Sequence, residues 1–210
     1  MKPLIIAATW PEIAPLAAHF RLQEQEMWST PDFDLLISGV GMTATAFALG
    51  RHLSPKYDLV LNLGIAGSFK PALSLGEVVN VVQDEFAELG AEDGDAFLNI
   101  DMLGFGTSTY TAFNNILNEE LTHLPRVKGI TVNTTHGNDI AIAKVIERLQ
   151  PDTESMEGAA VLYSCQQTSN PCLQIRAISN YVERRNRDNW KIGLAIKNLN
   201  DWAIRFLTNA

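Results

Sequence analysis

A single α/β domain with a central mixed β-sheet flanked by helices is the fold this sequence predicts, and three observations carry the prediction. Six short apolar runs rich in β-branched residues recur along the chain, helical patterns alternate with them, and 210 residues at about 150 per domain leave room for one domain over 1–210. The first run, Pro3 to Ala8, is continuous rather than alternating, as suits a strand buried on both faces. A helical pattern from Glu12 to Phe20 follows. It is opened by Thr9-Trp10-Pro11-Glu12, in which threonine can cap the helix and Pro11 falls in the first turn, where its missing amide hydrogen does no harm. The second run, Phe33 to Val40, leads into a helix over Met42 to Leu53, and the runs Leu59 to Leu63 and Glu77 to Val82 come next. Leu89 to Thr109 is the most polar and glycine-rich stretch and reads as a long surface excursion, either a functional loop or a mobile insertion. The run Gly129 to Val132, helices over Ile140 to Leu149 and Gly158 to Gln167, and the run Cys172 to Ala177 precede a last helix from about Asn189 to Leu207. In that helix Ile192, Ala195, Ile196, Leu199, Ala203, Phe206 and Leu207 recur at three- and four-residue spacings, painting one apolar face that should pack on the sheet. No interior linker or internal repeat divides the chain.

Composition narrows the function classes. With 46% apolar and 19% charged residues the chain is ordinary globular protein, which excludes disorder, collagen and coiled coil. Sixteen basic against 24 acidic residues give a net charge of −8, so a nucleic-acid backbone would meet overall repulsion. The longest apolar stretches, such as Leu4 to Ala8, fall far short of the ~20 residues that span a bilayer, and no secretory signal pattern opens the chain, so a cytoplasmic protein without a membrane partner is expected. Cys165 and Cys172 read as buried small hydrophobes rather than a disulfide framework, and no Cys-x-x-Cys or His-x-x-x-His spacing offers a metal site.

Three strand ends run into turns that could carry chemistry. Gly39-Val40-Gly41-Met42-Thr43 sets backbone amides at a helix start, where an anion can bind, although a tight turn explains two glycines as well. Asn62-Leu63-Gly64-Ile65-Ala66-Gly67-Ser68 places small residues after a buried strand, where a ligand could touch backbone. In Glu154-Ser155-Met156-Glu157-Gly158-Ala159-Ala160, Glu157 at a helix start is either a dipole partner or an acceptor for two ribose hydroxyls, with Met156 offering a polarisable contact to a sugar. Glu12 lies beside the end of the first strand. Arg176-Ala177-Ile178-Ser179-Asn180 delivers a serine and an amide to what would be the same edge, unless Asn180 caps a turn.

These five segments, in this order and over nearly the whole chain, resemble the purine nucleoside phosphorylase and nucleosidase superfamily. Within it the sequence is most similar to the futalosine hydrolases of menaquinone synthesis, notably in Val132-Asn133-Thr134-Thr135-His136-Gly137, Glu154 to Ala160, and Ile178-Ser179-Asn180 followed by Arg185 and Trp190. The resemblance implies a nucleoside phosphorylase-like fold, a site near a subunit interface and hence a homo-oligomer, and hydrolysis of a nucleoside N-glycosidic bond without metal or organic cofactor. It implies that Glu12 activates the water, Glu157 binds the ribose beside Met156, and Asn180 faces the purine, with Gly67, Ser68 and Ser179 near the sugar or base. His136 and the arginines have no implied contact. An aspartate usually stands at position 180 in methylthioadenosine and adenosylhomocysteine nucleosidases. An asparagine instead offers a fixed donor to a 6-oxo group and a fixed acceptor to a protonated N7. A phosphorylase would need a phosphate pocket, yet Gly39 to Thr43 holds no arginine or lysine, Arg51 comes later, and Glu12 would repel the anion. A non-catalytic nucleoside-binding protein of the same fold is the alternative outside enzymes. Three arginines in Glu183-Arg184-Arg185-Asn186-Arg187 form either a carboxylate clamp for a 5′ substituent, with Arg185 the residue of choice, or a solvated or subunit-contacting loop.

Overall fold

The computed structural model describes residues 2–113, 116 and 118–208. The chain begins with β1 (Pro3–Ala7), α1 (Trp10–His19), β2 (Met27–Ser29), β3 (Asp34–Ile37), α2 (Met42–His52) and β4 (Leu59–Ser68). Strand β5 (Val78–Phe86), the hairpin β6 (Gly90–Asp93) and β7 (Ala96–Asn99), β8 (Thr109–Thr111), the short α3 (Glu119–Thr122) and β9 (Arg126–Thr131) form the middle. Then come α4 (Asp139–Leu149), β10 (Thr153–Ser155), α5 (Gly158–Thr168), β11 (Cys172–Tyr181) and α6 (Ile192–Thr208).

The main sheet runs β10-β9-β5-β11-β4-β1-β3-β2 and is mixed: β1 is parallel to β3 and β4, and β4 to β11, whereas β5 is antiparallel to β11. Strand β10 pairs in parallel with β9 and also antiparallel with β4, Glu154 opposite Gly67, so that five strands close on themselves. That closure brings β10 beside the end of β4, which matters for the site.

Side-chain alternation along the strands feeds two cores. Ile5, Ala7, Leu61, Leu63, Leu173 and Ile175 pack against α1 and against Ala195, Leu199, Trp202, Ala203 and Phe206 of α6. Leu4, Ile6, Leu36 and Val60 pack on the other face against Leu49 of α2 and Val161, Leu162 and Cys165 of α5. Each fully buried leucine or phenylalanine of these layers contributes about 1.5–3 kcal/mol. The apolar stripe read along the last helix is therefore the face that covers the sheet. Both cysteines are free and buried, as expected of small hydrophobes.

The structure differs from the sequence reading at several boundaries. The last helix starts at Ile192, because Asn186 caps a separate 3-10 turn over Arg187–Asn189 and the Lys191 amide is held by the Ser179 carbonyl at 2.8 Å. Leu89 to Thr109 is no plain loop: it contains the β6–β7 hairpin and leads into β8, which pairs with β5. Among the described residues no helix is long and apolar enough to cross a membrane.

Candidate active site

The segment read as a turn after β4 is strand throughout: β4 continues to Ser68, flanked by β11 on one side and β10 on the other. Its glycines serve close approach instead of turning the chain. A Cβ at Gly64 would stand 2.7 Å from Arg176 Nη1 and 3.2 Å from Glu12 Oε1. One at Gly67 would meet Val182 at 3.0 Å and Asn180 Nδ2 at 3.2 Å. The two bare positions are thus where the side chains of Arg176, Glu12 and Asn180 lie over the strand.

Glu12 stands one turn into α1, and three donors orient its carboxylate. Oε2 accepts from the Thr9 amide at 3.0 Å and the Thr9 hydroxyl at 2.8 Å, while Oε1 accepts from the Ile65 amide at 3.2 Å. Its backbone is held as well. Buried Asn200 of α6 accepts from the Leu16 amide at 2.9 Å and donates to the Glu12 carbonyl at 2.8 Å, bridging α1 beside Pro15.

Glu157 occupies the N-cap of α5, and its Oε1 accepts from the Gly41 amide at 2.9 Å. The anion read for the glycine turn is therefore supplied by the protein itself. Burial raises the Glu157 pKa; the Arg176 charge and the Gly41 hydrogen bond pull it back, and the negative charge of Glu12 adds to the rise. Met156 lies half-buried beside it.

Arg176 is a candidate functional residue that sequence reasoning left without a role. It is 2% exposed, in register with Gly64, and its Nη1 donates to Asn62 Oδ1 at 3.1 Å. Nε and Nη2, both buried, donate no hydrogen bond among the described residues. A charge this deep needs compensation, and three carboxylates provide it: Glu12 over the same glycine, Glu157, and Asp84. Asp84 is pushed up to about 6 by burial, against the opposing pull of Gln174, Thr131 and Arg176. Arg176 itself was visible in the segment Arg176-Ala177-Ile178-Ser179-Asn180; a buried guanidinium was not, because an arginine in a sequence reads as surface.

Asn180 is fixed by its neighbours: Ser179 Oγ donates to Oδ1 at 2.8 Å, and Nδ2 donates to the Tyr181 carbonyl at 2.9 Å. One amide hydrogen and one oxygen lone pair remain for a ligand. Ser179, 2% exposed, therefore acts on Asn180. Gly67, Asn180, His136, Glu154, Arg185 and Trp190 line one small cavity. Arg185 stacks on Trp190, its guanidinium carbon 4.8 Å from the ring centre. Ser68 is buried, and its hydroxyl is engaged elsewhere: it donates to the Lys70 carbonyl and accepts from the Lys70 amide, both at 3.0 Å, in the loop that leaves β4.

The cluster has a definite chemistry. Two oriented carboxylates stand beside a buried guanidinium, so the site can take a proton from a water and favour positive charge nearby, while the cavity at Asn180 presents one donor and one acceptor to a flat polar ring. The model of the phosphorylase superfamily matches residues 5–208, and the chain belongs to that superfamily. More narrowly, it is 36% identical to the futalosine hydrolase of Streptomyces coelicolor over 81% of this chain and 77% of that one, and 35% identical to the futalosine hydrolase of Acidothermus cellulolyticus over 81% and 73%. In fold it is similar to the 5′-methylthioadenosine/S-adenosylhomocysteine nucleosidase of Colwellia psychrerythraea in complex with adenine, with a TM-score of 0.79 at 20% identity, covering 99% of this chain and 95% of that one.

Proposed function

We propose that this protein is an N-glycosyl hydrolase that cleaves futalosine with water, releasing hypoxanthine and the dehypoxanthine sugar in menaquinone synthesis. The bond from C1′ to N9 breaks with its electron pair leaving on the purine, so positive charge develops on the sugar. Glu157 accepts from the 2′ and 3′ hydroxyls, and Glu12 and Glu157 both favour the oxocarbenium-like sugar. Glu12 takes one proton of the attacking water as its oxygen bonds to C1′, and in this reading Arg176 donates to that oxygen. The departing base gains its proton from solvent at N7.

The observation that carries the substrate is the amide of Asn180, anchored so that its donor suits O6 and its acceptor suits a protonated N7. Two further facts support water over phosphate. The Gly41 amide is already taken by Glu157, and Arg51 lies over Phe47 and beside exposed Glu26 instead of reaching the glycine turn. Action as a homo-oligomer fits the exposed Val40, Phe47, Met102 and Phe105, which leave apolar surface for a second copy. Incubation with futalosine, inosine, adenosine and methylthioadenosine in phosphate-free buffer, scored by chromatography for free base, tests the reading; hypoxanthine from futalosine is expected to dominate, and adenine as the main product would overturn it.

Three outcomes follow for single groups. Asn180→Asp should lower the ratio of 6-oxo to 6-amino turnover, since a protonated aspartate can donate to N7 and accept from a 6-amino group; an unchanged ratio removes Asn180 from the base edge. For Glu157, a 2′-deoxy substrate should lose about 1.5–3 kcal/mol in kcat/KM, the worth of a hydrogen bond to a charged group. Equal efficiency on both sugars would dismiss the diol contact. The Glu183 carboxylate is engaged by Asn189 at 2.9 Å, which leaves Arg185 on Trp190 at the cavity wall. Arg185→Ala should therefore impair futalosine, which carries a carboxylate on its 5′ substituent, and spare inosine, which does not. Equal losses on the two would return the loop to scaffold.

A further inference from the structure

Three neighbouring strands bring one residue each to the cavity beside Asn180. Asn180 of β11 is in register with Gly67 of β4, and Gly67 stands opposite Glu154 of β10. Glu154 is 5% exposed, and both its oxygens are spent on one partner: Oε1 accepts from the His136 backbone amide at 3.0 Å, and Oε2 meets the His136 ring at Nδ1. The ring packs edge-on to Phe69 and lines the cavity with Asn180. Its other nitrogen, Nε2, makes no hydrogen bond among the described residues.

The clamp decides which nitrogen carries the hydrogen. A backbone amide only donates, so Oε1 must accept there, and a carboxylate accepts at Oε2 as well. In the neutral imidazole the hydrogen is thus held on Nδ1, and Nε2 keeps a lone pair. We propose that His136 reads the N1 side of the purine, its Nε2 accepting the N1–H of a 6-oxopurine, with Glu154 as the positioning residue that sets the tautomer. The proposal deepens the nucleosidase reading and rests on it. On a purine ring O6 lies between N7 and N1, so a base that turns N7 and O6 to Asn180 turns N1 to another wall of the same cavity. Adenine has a lone pair at N1 and would oppose that of Nε2. Selection against adenine is then made twice, by Asn180 on one side of position 6 and by His136 on the other.

Glu154→Gln separates this from a scaffold role. The amide oxygen must stay on the His136 backbone amide, because an NH₂ there would set donor against donor. The NH₂ then faces Nδ1, which has to accept, and the ring hydrogen moves to Nε2, turning an acceptor into a donor. Wild type is expected to release hypoxanthine from inosine faster than adenine from adenosine. In Glu154→Gln that ratio should shrink by about tenfold or more, with the adenosine rate rising in absolute terms, since unpaired groups dominate such discrimination. A merely loosened site would slow both. Calorimetry on wild type gives an independent reading that needs no variant: 1-methylhypoxanthine, which lacks N1–H, should bind about tenfold or more weaker than hypoxanthine. An unchanged ratio in folded Glu154→Gln, or equal affinity for the two bases, overturns the proposal and leaves the nucleosidase reading intact. Wild type that frees no base from any nucleoside overturns the nucleosidase reading and, with it, this proposal.

Discussion

Glu12→Gln is expected to lower kcat by about 10² to 10⁴ while leaving hypoxanthine binding close to wild type, because a general base contributes that much to rate and little to ground-state affinity. The substitution keeps the length and volume of the side chain. What it removes is the ability to take a proton, together with one of the acceptors that the Thr9 and Ile65 amides now use. Because those amides and the Asn200 bridge to α1 orient the wild-type carboxylate, the loss should appear in turnover rather than as unfolding. Steady-state rates with calorimetry of the base check both halves. A variant that keeps more than about a tenth of the wild-type kcat would remove Glu12 from the proton transfer.

Arg176→Met should cost about 10² to 10³ in kcat, the range for losing a preorganised donor in a buried site, and should also move the acid limb of the pH profile upward. The sign follows from Glu157. Burial already raises its pKa and Arg176 restrains it, so activity that needs the ionised carboxylate fades as pH falls through a value above the ordinary carboxylate range. Without the guanidinium the rise is unopposed, and the limb shifts to higher pH. Stability should fall as well, since Asp84 loses the same counter-charge. Arg176→Lys, which keeps the charge, should return the limb toward its wild-type position. Profiles of kcat/KM for the three proteins measure this, and a limb that does not move in Arg176→Met would show that Glu157 titrates independently of it.

Much of this arrangement was legible along the chain where a period or a spacing carried it. The stripe of Ala195, Leu199, Ala203 and Phe206 announced a sheet-packing helix, and the continuous run at Pro3 announced a strand with a core on each side. Glu12 lies in the first turn of the helix that follows β1, Glu157 at the start of α5 and Asn180 near the end of β11, the positions read for them. The short strand Thr153–Ser155 was illegible because three residues show no period, yet it is the element that sets Glu154 opposite Gly67. Gly64 and Gly67 read as a turn because glycine is ambiguous: sequence does not tell a bend in the chain from room for a neighbour, and here the neighbours are Arg176 and Asn180. The resemblance set Ser68 near the sugar or base, whereas its hydroxyl is engaged by Lys70. The buried charge of Arg176 was hidden because its three carboxylate partners come from distant segments of the chain, and only the folded sheet assembles them.

Water as the nucleophile is the central claim, and the rate of hypoxanthine release from futalosine as a function of inorganic phosphate tests it most directly. With Glu157 on the Gly41 amide and the negative charge of Glu12 at the proposed water site, the rate should be full in the absence of phosphate, stay flat as phosphate is raised to saturation, and yield only the free sugar. A rate that depends on phosphate, with a sugar 1-phosphate as the product, would contradict the account.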